Sequence, residues 1–310
     1  MSNTPSASVI VTTYNNPRYL ELALLGLARQ TRRDFEIIVA DDGSGPETKK
    51  LIDRLRRDLP VPLLHVWQED LGFRQARAMN LAALRATSPH LIFTDGDCVP
   101  PADFVDSHLQ AAQPNTLVVG WCVRLSEPAS AAVTPELIRS GALQDQPAWP
   151  VGLLAWALHL KNLLYLAIGH RKRPKIQGLN FSIPRATFEA LNGLDLNYEN
   201  NAQQDSDLRN RLRRAGLPAR SIVHRCIVVH LWHPTHAGRH DWKEARSYYR
   251  RKSLEPWAQR GLRELSAQLE NTTRTSALPG HSQPDSQLAS ARAGEHVSDH
   301  FPAPQSLEQD

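Results

Sequence analysis

The sequence predicts an α/β fold with a mainly parallel central sheet flanked by helices. Four short apolar runs, each suited to a strand buried on both faces of a sheet, alternate with four helical patterns over residues 1–116. A strand-helix order repeated in this way is typical of parallel strands joined by crossover helices. The four runs cover residues 9–13, 35–40, 63–67 and 91–94.

The helical patterns carry their own start signals. Asn16 can cap the first helix and Pro17 can open it, and Leu20, Leu24 and Leu27 then share one face. The other three helices are expected at residues 47–57, at residues 73–85 and after Pro101. In such a sheet, ligands bind at the carboxyl ends of the strands.

The second half is expected to add a smaller region to this sheet. Its strand-like runs are residues 117–123, 178–183 and 222–231, and its helical patterns are residues 135–169, a helix from Pro184 to near Gly193, and residues 205–215 ended by Gly216. Beyond about residue 265 the chain is rich in Ser, Gln, Thr and Pro and poor in aromatics. We therefore predict one domain over residues 1–265, with halves 1–116 and 117–265, and a disordered tail over residues 266–310.

Composition excludes some function classes. The 36 Lys and Arg against 32 Asp and Glu give a net charge of +4, too small and too interspersed for a nucleic-acid partner. Cys98, Cys122 and Cys226 match no metal spacing, so we expect free thiols in a reducing compartment. The N-terminus lacks the pattern of a signal peptide, and the expected location is cytoplasmic.

Polar side chains follow three of the predicted strands where each one ends. Tyr14 and Asn15 follow the first, Asp41 and Asp42 the second, and the run Asp95-Gly96-Asp97 the fourth. Because these strand ends share one edge of the sheet, the acidic residues there suggest a ribose and a divalent cation, Mg²⁺ or Mn²⁺. Taken alone, the run fits an acidic turn about equally well.

Several separate motifs occur along the chain: Ser8-Val-Ile-Val-Thr-Thr-Tyr-Asn15, Gln30-Thr31, Val39-Ala-Asp-Asp-Gly-Ser44, the DxD-like Thr94-Asp-Gly-Asp97, Gly178-Leu-Asn-Phe-Ser182, Gly193-Leu-Asp195, and Gln204-Asp205 with Leu208, Arg211, Leu212 and Gly216. With these motifs in this order, the chain resembles the family 2 inverting glycosyltransferases of GT-A fold over roughly residues 7–235. Two further stretches, Asp70-Leu-Gly-Phe-Arg74 and His230-Leu-Trp-His-Pro234, are similar to the bacterial polysaccharide branch, which includes chondroitin-synthase-like domains.

The resemblance implies a donor site for a nucleotide sugar. Thr12, Tyr14 and Asp42 would contact the base, with Asp42 accepting from a ring N–H as in uracil, and Asp95 with Gly96 would contact the sugar nucleotide, Asp95 at the ribose. Arg74 and Arg77 would lie near the ribose or diphosphate, although a solvated helix face explains them equally well. UDP is the preferred nucleotide, with dTDP and GDP open.

Asp97 would bind the metal directly, and related enzymes place a histidine ligand near position 230. His230 is the first choice, and His233 and His236 are competitors. On the acceptor side, Asn180 and Gln204 would contact the substrate, and Asp205 would act as the catalytic base, with Asp207 as its rival. Helix geometry turns Asp205 and Asp207 in different directions, so only one can face the donor.

Two features depart from the family pattern. Gln204 stands where the family has Glu, and the preceding loop, residues 200–203, lacks the usual Trp. Gln204 can hydrogen-bond an acceptor hydroxyl but carries no charge.

The expected function is therefore metal-dependent transfer of a sugar to a glycan or lipid-linked acceptor in polysaccharide or cell-surface glycan synthesis. A catalytically silent sugar-nucleotide or glycan-binding protein is the alternative. A sugar nucleotidyltransferase would need a Gly-rich basic loop after the first strand, which is missing.

Residues 151–169 form the most apolar stretch, with His159, Lys161 and Asn162 at its middle, which argues against a transmembrane span. Followed by Arg171, Lys172, Arg173 and Lys175, this stretch suits peripheral contact with an anionic membrane or, equally, a core or subunit-interface helix.

Overall fold

A seven-stranded sheet organises the chain in the computed structural model, which describes residues 4–145, 149–170, 174–176, 178–198, 203–234, 249 and 255–276. The strands are β1 (Ala7–Thr13), β2 (Phe35–Asp41), β3 (Leu63–Trp67), β4 (His90–Asp95), β5 (Cys98–Val99), β6 (Leu117–Val119), β7 (Trp121–Arg124), β8 (Asn180–Pro184), β9 (Ala219–Ser221) and β10 (Ile227–His230). The helices are α1 (Pro17–Ala28), α2 (Pro46–Asp58), α3 (Gln75–Arg85), α4 (Phe104–Ala111), α5 (Glu127–Ala131), α6 (Pro135–Ser140), α7 (Ala142–Asp145), α8 (Trp149–Ala167), α9 (Arg185–Ala190), α10 (Gln204–Arg214) and α11 (Leu262–Ser276).

The strand order in the large sheet is β3-β2-β1-β4-β8-β6-β9. β3, β2, β1 and β4 run parallel, β8 is antiparallel to both of its neighbours, and β6 and β9 are parallel to each other. A second sheet has the order β5-β10-β7, with β10 antiparallel to β5 and parallel to β7. The predicted mainly parallel central sheet is thus confirmed.

The first half folds as its sequence pattern indicates. β1 is buried along its whole length, with one apolar cluster on each face of the sheet. Asn16 caps α1 by accepting a hydrogen bond from the backbone N–H of Tyr19, and Pro17 occupies the first turn. Elements β1 to β4 and the helices between them lie within two residues of their predicted bounds, α4 follows Pro101 as expected, and the short strand β5 was not predicted.

The second half departs from its predicted elements at three places. The run 117–123 is broken at Gly120, where an added Cβ would lie 2.2 Å from Asn180 Oδ1, and the strands on either side enter different sheets. The run 222–231 contains only β10, because β9 ends at residue 221 and a turn follows. The pattern over 135–169 is divided into α6, α7 and α8 rather than forming one helix.

The expectation of a disordered tail from residue 266 is wrong for residues 266–276, because α11 extends to Ser276. Leu262 and Leu265 are buried, which holds the start of this helix against the domain. Residues 277–310 lie outside the described part, so the disordered tail beyond residue 276 stays a prediction.

Two further expectations concern thiols and the membrane. Cys98, Cys122 and Cys226 form no disulfide with one another, in agreement with the thiols expected from sequence, and all three are buried. Among the described helices, none has both the length and the apolarity needed to cross a bilayer.

Candidate functional site

An open pocket of about 720 Å³ lies at the carboxyl ends of β1, β2 and β4. Its lining contains most of the residues predicted to bind the nucleotide sugar, and a smaller pocket of about 130 Å³ adjoins it through Gln75 and Asp95, which line both. The larger pocket is lined by Thr12, Thr13, Tyr14, Asn15, Asn16, Asp42, Asp70, Gly72, Phe73, Gln75, Asp95, Gly96, Asp97, His233 and Pro234. The smaller one is lined by Gln75, Met79, Asp95, Gly178, Phe181, Leu194, Gln204 and Asp205.

Asp95 ends β4 directly opposite Thr12 of β1. Thr12 Oγ1 donates a 2.6 Å hydrogen bond to Asp95 Oδ1, so its hydroxyl is held by the carboxylate rather than presented freely to a base. Burial, followed by the negative charge of Asp97, raises the pKa of Asp95 to about 7, although the Thr12 hydrogen bond opposes the shift. A ligand that is cationic or that donates a hydrogen bond would favour the ionised form of Asp95.

Gly96 must be glycine for steric reasons. Its N–H donates to the Thr12 carbonyl at 2.7 Å, and an added Cβ would lie 2.7 Å from the same oxygen. The close approach of the turn to β1 turns Asp95 and Asp97 to the pocket side, since both line it. The acidic run is thus built into the sheet edge.

Asp97 is near two imidazoles. His233 Nε2 lies 3.2 Å from Asp97 Oδ2, and His230 Nε2 lies 3.8 Å from the same oxygen. Burial alone would raise the pKa of Asp97, but the His233 hydrogen bond and the charges of both histidines lower it overall. The Asp97 hydrogen bond raises the pKa of His233, whereas burial lowers that of His230.

The two histidines differ in how their rings are held. His233 has Nδ1 3.0 Å from the Pro234 carbonyl oxygen, which leaves Nε2 directed at Asp97, the arrangement that fixes a metal-binding imidazole. His230 Nε2 instead faces Arg124 Nη1 at 3.2 Å. His233 also lines the pocket, whereas His230 does not. These contacts favour His233 over His230, the reverse of the order expected from sequence, although the donor atoms of Asp97 and His230 are also close enough to share a cation. His236 lies outside the described residues.

These residues fit a divalent cation. The donor atoms of Asp97, His230 and the Cys98 thiol lie within 4.8 Å of one another. The thiol is not suited to ligation, because burial raises its pKa well above the usual value and it donates to Asp97 at 3.3 Å. A carboxylate oxygen with imidazole nitrogens is a donor set that can hold a divalent cation.

Asp205 sits at the start of α10 on the wall of the smaller pocket. Its carboxylate accepts hydrogen bonds from the backbone N–H groups of Gly178 and Ser206. Burial raises its pKa, with those hydrogen bonds opposing the shift. A carboxylate that is partly exposed and of raised pKa has the properties needed to accept a proton.

Asp207 is excluded as the rival base. It is fully buried, and its carboxylate accepts hydrogen bonds from Arg211 Nε at 2.7 Å and from the Tyr198 hydroxyl at 2.9 Å. Arg211 in turn donates to the carbonyls of Leu191 and Gly193, so the pair holds α10 to the turn after α9. Asp207 therefore has a structural role.

Asp42 and Tyr14, which are expected to contact the base, both line the larger pocket. Asp42 accepts from the Gln68 side-chain amide and from the Arg74 backbone N–H, and burial raises its pKa to about 6 against these bonds. Tyr14 is exposed, and its hydroxyl donates to Asp70 at 2.8 Å. An exposed ring beside a carboxylate suits a stacked base with an N–H to donate.

The side chains of Arg74 and Arg77 do not line the pocket. Arg77 donates to Gln68 Oε1 at 2.7 Å, and Arg74 donates to the Glu69 carbonyl. Arg77 thus supports Asp42 through Gln68, which corrects the expectation that both arginines reach the ribose or diphosphate.

Asn180 does not reach an acceptor either. It is fully buried; its amide donates to the carbonyls of Trp121 and Cys226, and its Oδ1 lies 2.9 Å from His108 Nε2. Asn180 therefore joins β8 to β7 and to the segment before β10, and its expected acceptor contact is corrected to a structural one.

Gln75 is a site residue that the sequence patterns missed. Gln75 Nε2 donates to Thr12 Oγ1 at 3.1 Å and to Asp95 Oδ1 at 3.2 Å, and Gln75 Oε1 accepts from Gln204 Nε2 at 2.8 Å. Gln204 is buried and its own Oε1 has no partner. The signal available in the sequence was position alone, because Gln75 begins the helix that follows the loop after β3.

Comparisons with known proteins relate the chain to a family of glycosyltransferases. Residues 8–146 match the model of Glycosyl transferase family 2. The validoxylamine A glucosyltransferase of Streptomyces hygroscopicus subsp. jinggangensis is 31% identical in a 236-residue alignment that covers 70% of this chain and 53% of the relative. The chondroitin synthase of Escherichia coli is 24% identical over 69% of this chain and 33% of its own. The chain thus spans about half the length, or less, of these curated relatives.

Among solved structures, the mannosyltransferase PcManGT from Pyrobaculum calidifontis, in complex with GDP-Man and Mn²⁺, superposes with a TM-score of 0.52 at 20% identity. The match covers 89% of this chain and 77% of that one, and it shows a shared fold.

Proposed function

Starting from the Glycosyl transferase family 2 domain that this chain carries on a GT-A fold, we propose that it is a metal-dependent inverting glycosyltransferase. It transfers a sugar from a nucleotide diphosphate sugar, with UDP-sugars preferred, to a hydroxyl group of a glycan or lipid-linked acceptor. The product belongs to polysaccharide or cell-surface glycan synthesis. Hexosyl and N-acetylhexosaminyl donors both fit.

One observation carries the proposal: carboxylates from distant parts of the chain face two adjoining pockets. Asp95 and Asp97 close the larger pocket, Asp205 lines the smaller one, and Asp95 lines both. A donor with its diphosphate at Asp97 would direct its sugar toward Asp205. This arrangement supports a transfer reaction more strongly than it supports simple nucleotide binding.

Each end of the donor has a matching group. The Tyr14 ring and the Asp42 carboxylate suit a uracil base, because the base can stack on the ring and donate its N–H to the carboxylate. Asp95 suits the ribose hydroxyls. Asp97 with His233, and His230 in second place, would hold a divalent cation, whose positive charge when bound stabilises the departing diphosphate.

The protein's own part in the chemistry is the work of Asp205. Its carboxylate accepts the proton of the acceptor hydroxyl as that oxygen attacks the anomeric carbon, and the diphosphate leaves from the opposite face. One carboxylate suffices for inversion. Gln204 lines the smaller pocket beside Asp205, where its side-chain amide can hydrogen-bond a sugar hydroxyl.

Release of UDP from UDP-sugars in the presence of Mn²⁺ tests the proposal, because slow transfer to water needs no known acceptor. We expect release by the native chain and a loss of at least about a hundredfold in Asp205→Asn, the scale of a general base. Asp58→Asn, on the exposed end of α2, is the matched control and should leave the rate unchanged. Equal rates in Asp205→Asn and the native chain would remove Asp205 as base.

Thermal shift with UDP, dTDP and GDP, each with and without Mn²⁺, identifies the nucleotide, since a ligand of the folded state raises its melting temperature. A shift with none of them contradicts the donor site. GDP belongs in the screen because the mannosyltransferase named above was solved with GDP-Man.

A catalytically silent sugar-nucleotide or glycan-binding protein is the second candidate. Gln204 favours it, because it leaves the smaller pocket one carboxylate short of the family pattern. A thermal shift with UDP and Mn²⁺ together with no UDP release from any UDP-sugar would support this candidate over the enzyme.

A further inference from the structure

Helix α8 directs the polar side chains of His159 and Asn162 at the protein and most of its large apolar side chains at solvent. Asn162 is buried and donates to Ser221 Oγ at 3.1 Å, and His159 Nδ1 lies 3.4 Å from the same oxygen. Ala155 lies on the same side of α8 as these two polar residues and is fully buried. A helix on the surface of a soluble protein has the opposite arrangement, with apolar residues inward.

The outward side of α8 and of the turn after it forms a continuous apolar surface, which we call the α8 face. Its side chains are between 45% and 67% exposed: Leu153, Leu154, Trp156, Leu160, Leu163, Leu164 and Ile168. At about 100° per residue these positions cover roughly half of the helix circumference. A contiguous apolar surface of this kind marks an interaction site.

The charges around the α8 face restrict its partner. Residues 149–170 contain no Asp or Glu, Lys161 is exposed within the face, and Lys175 is exposed beyond the helix. In sequence, Arg171, Lys172 and Arg173 follow directly. The partner must therefore be apolar at its centre and negatively charged at its border.

Other occupants match these properties less well. A second copy of the chain would bring the same face, with basic residues and no acidic ones. Residues 277–310 contain five large apolar residues, Leu278, Leu288, Val297, Phe301 and Leu307, too far apart to form one stripe. A bilayer surface with anionic headgroups offers both properties at once.

We infer that the α8 face docks on the surface of an anionic lipid bilayer, with α8 lying in the plane of the interface. Trp156 and Lys161 suit the headgroup level, because each has an apolar body and a polar end. The docking is independent of the transferase reaction. Only its consequence, that a lipid-linked acceptor is brought to the enzyme, rests on the proposed function.

Flotation of the full chain with lipid vesicles tests this inference. We expect the chain to float with vesicles of phosphatidylcholine and phosphatidylglycerol, and much less with phosphatidylcholine alone. Added salt should weaken the binding only in part, because screening acts on the charges and not on the apolar contact. In the variant Leu160→Glu with Leu164→Glu, affinity for the mixed vesicles should fall by at least about tenfold, since two apolar side chains leave the contact.

Trp257→Glu is the matched control, because Trp257 is 53% exposed and lies outside α8. It should bind the mixed vesicles as the native chain does. The melting temperature and the UDP-dependent thermal shift of the double variant should stay unchanged, which separates a failure of docking from a failure of the nucleotide site.

Three results would overturn the inference. The first is equal vesicle binding by the native chain and the double variant, or binding by neither. The second is a dimer in analytical ultracentrifugation that the double variant dissociates, without vesicle binding, which would assign the face to a second copy. The third is vesicle binding that begins only when residues 277–310 are removed, which would assign the face to that segment.

Discussion

The Gln204 side chain donates a 2.8 Å hydrogen bond to Gln75, and Gln75 donates onward to Thr12 and Asp95. Two neutral amides thus connect the helix that carries Asp205 with the carboxylate at the end of β4. Replacing Gln75 by an acid would place another negative charge beside Asp95, whose pKa burial and Asp97 already raise.

Replacing Gln75 with Leu should lower kcat/KM for UDP release by at least about tenfold, because hydrogen bonds to Asp95 and Thr12 are lost, each worth about 1 kcal/mol or more. Gln110→Leu, on the exposed side of α4, should leave kcat/KM unchanged. A Gln75→Leu enzyme with native kinetics would show that the amide connection is dispensable.

Asp205 and Asp207 should respond differently to substitution. Asp205→Asn should keep the stability of the fold and lose turnover. Asp207→Ala should lose about 3–5 kcal/mol in urea unfolding, because it leaves the buried Arg211 charge unpaired. If Asp207→Ala is as stable as the native chain, the buried ion pair does not have the structural role assigned to it.

Mn²⁺ dependence should separate the histidines. His233→Ala should weaken Mn²⁺ activation by at least about tenfold, the scale found even for supporting partners of metal ligands, and Asp97→Ala should do the same. His230→Ala should have the smaller effect, because its Nε2 faces Arg124. Mn²⁺ titrations of UDP release measure all three, and a larger loss in His230→Ala would restore the order expected from sequence.

UDP binding should weaken as the pH falls through about 6, because the Asp42 carboxylate, whose pKa burial raises from 3.8 to about 6, loses its charge there. In the absence of UDP, the stability of the fold changes in the opposite direction. Because the ionised, buried carboxylate of Asp42 destabilises the fold, its protonation raises the free energy of unfolding as the pH falls through about 6 toward 3.8. Calorimetric titration of UDP across this range measures the effect, and Asp42→Asn should remove this pH dependence. A native pH profile in Asp42→Asn would assign the titration to another group.

Much of the first half could be predicted from sequence because its signals are local. Buried parallel strands are continuous apolar runs, and Pro17 and Pro46 mark helix starts. The break at Gly120 could not be predicted, because it depends on Asn180, a residue sixty positions away in the chain that fills the space beside it.

In the candidate site, too, some residues could be predicted from sequence and others could not. Motifs at the ends of strands and helices indicate four of the acidic residues, Asp42, Asp95, Asp97 and Asp205. Gln75 could not be predicted, because it resembles any polar residue at a helix start. The ranking of His233 over His230 depends on the direction of each ring nitrogen, which is set by Pro234 and Arg124 through tertiary contacts.

The pairing of β10 with β5 has a thermodynamic consequence. The backbone N–H of Leu231 donates to the Asp97 carbonyl at 2.9 Å, so Asp97 and His233 become neighbours only when the late strand has paired with the early one. A cation held by both residues would therefore bind the paired state and not a partly unfolded chain, and it would stabilise that state by mass action. Mn²⁺ affinity thus becomes a measure of cooperativity between the two halves of the chain.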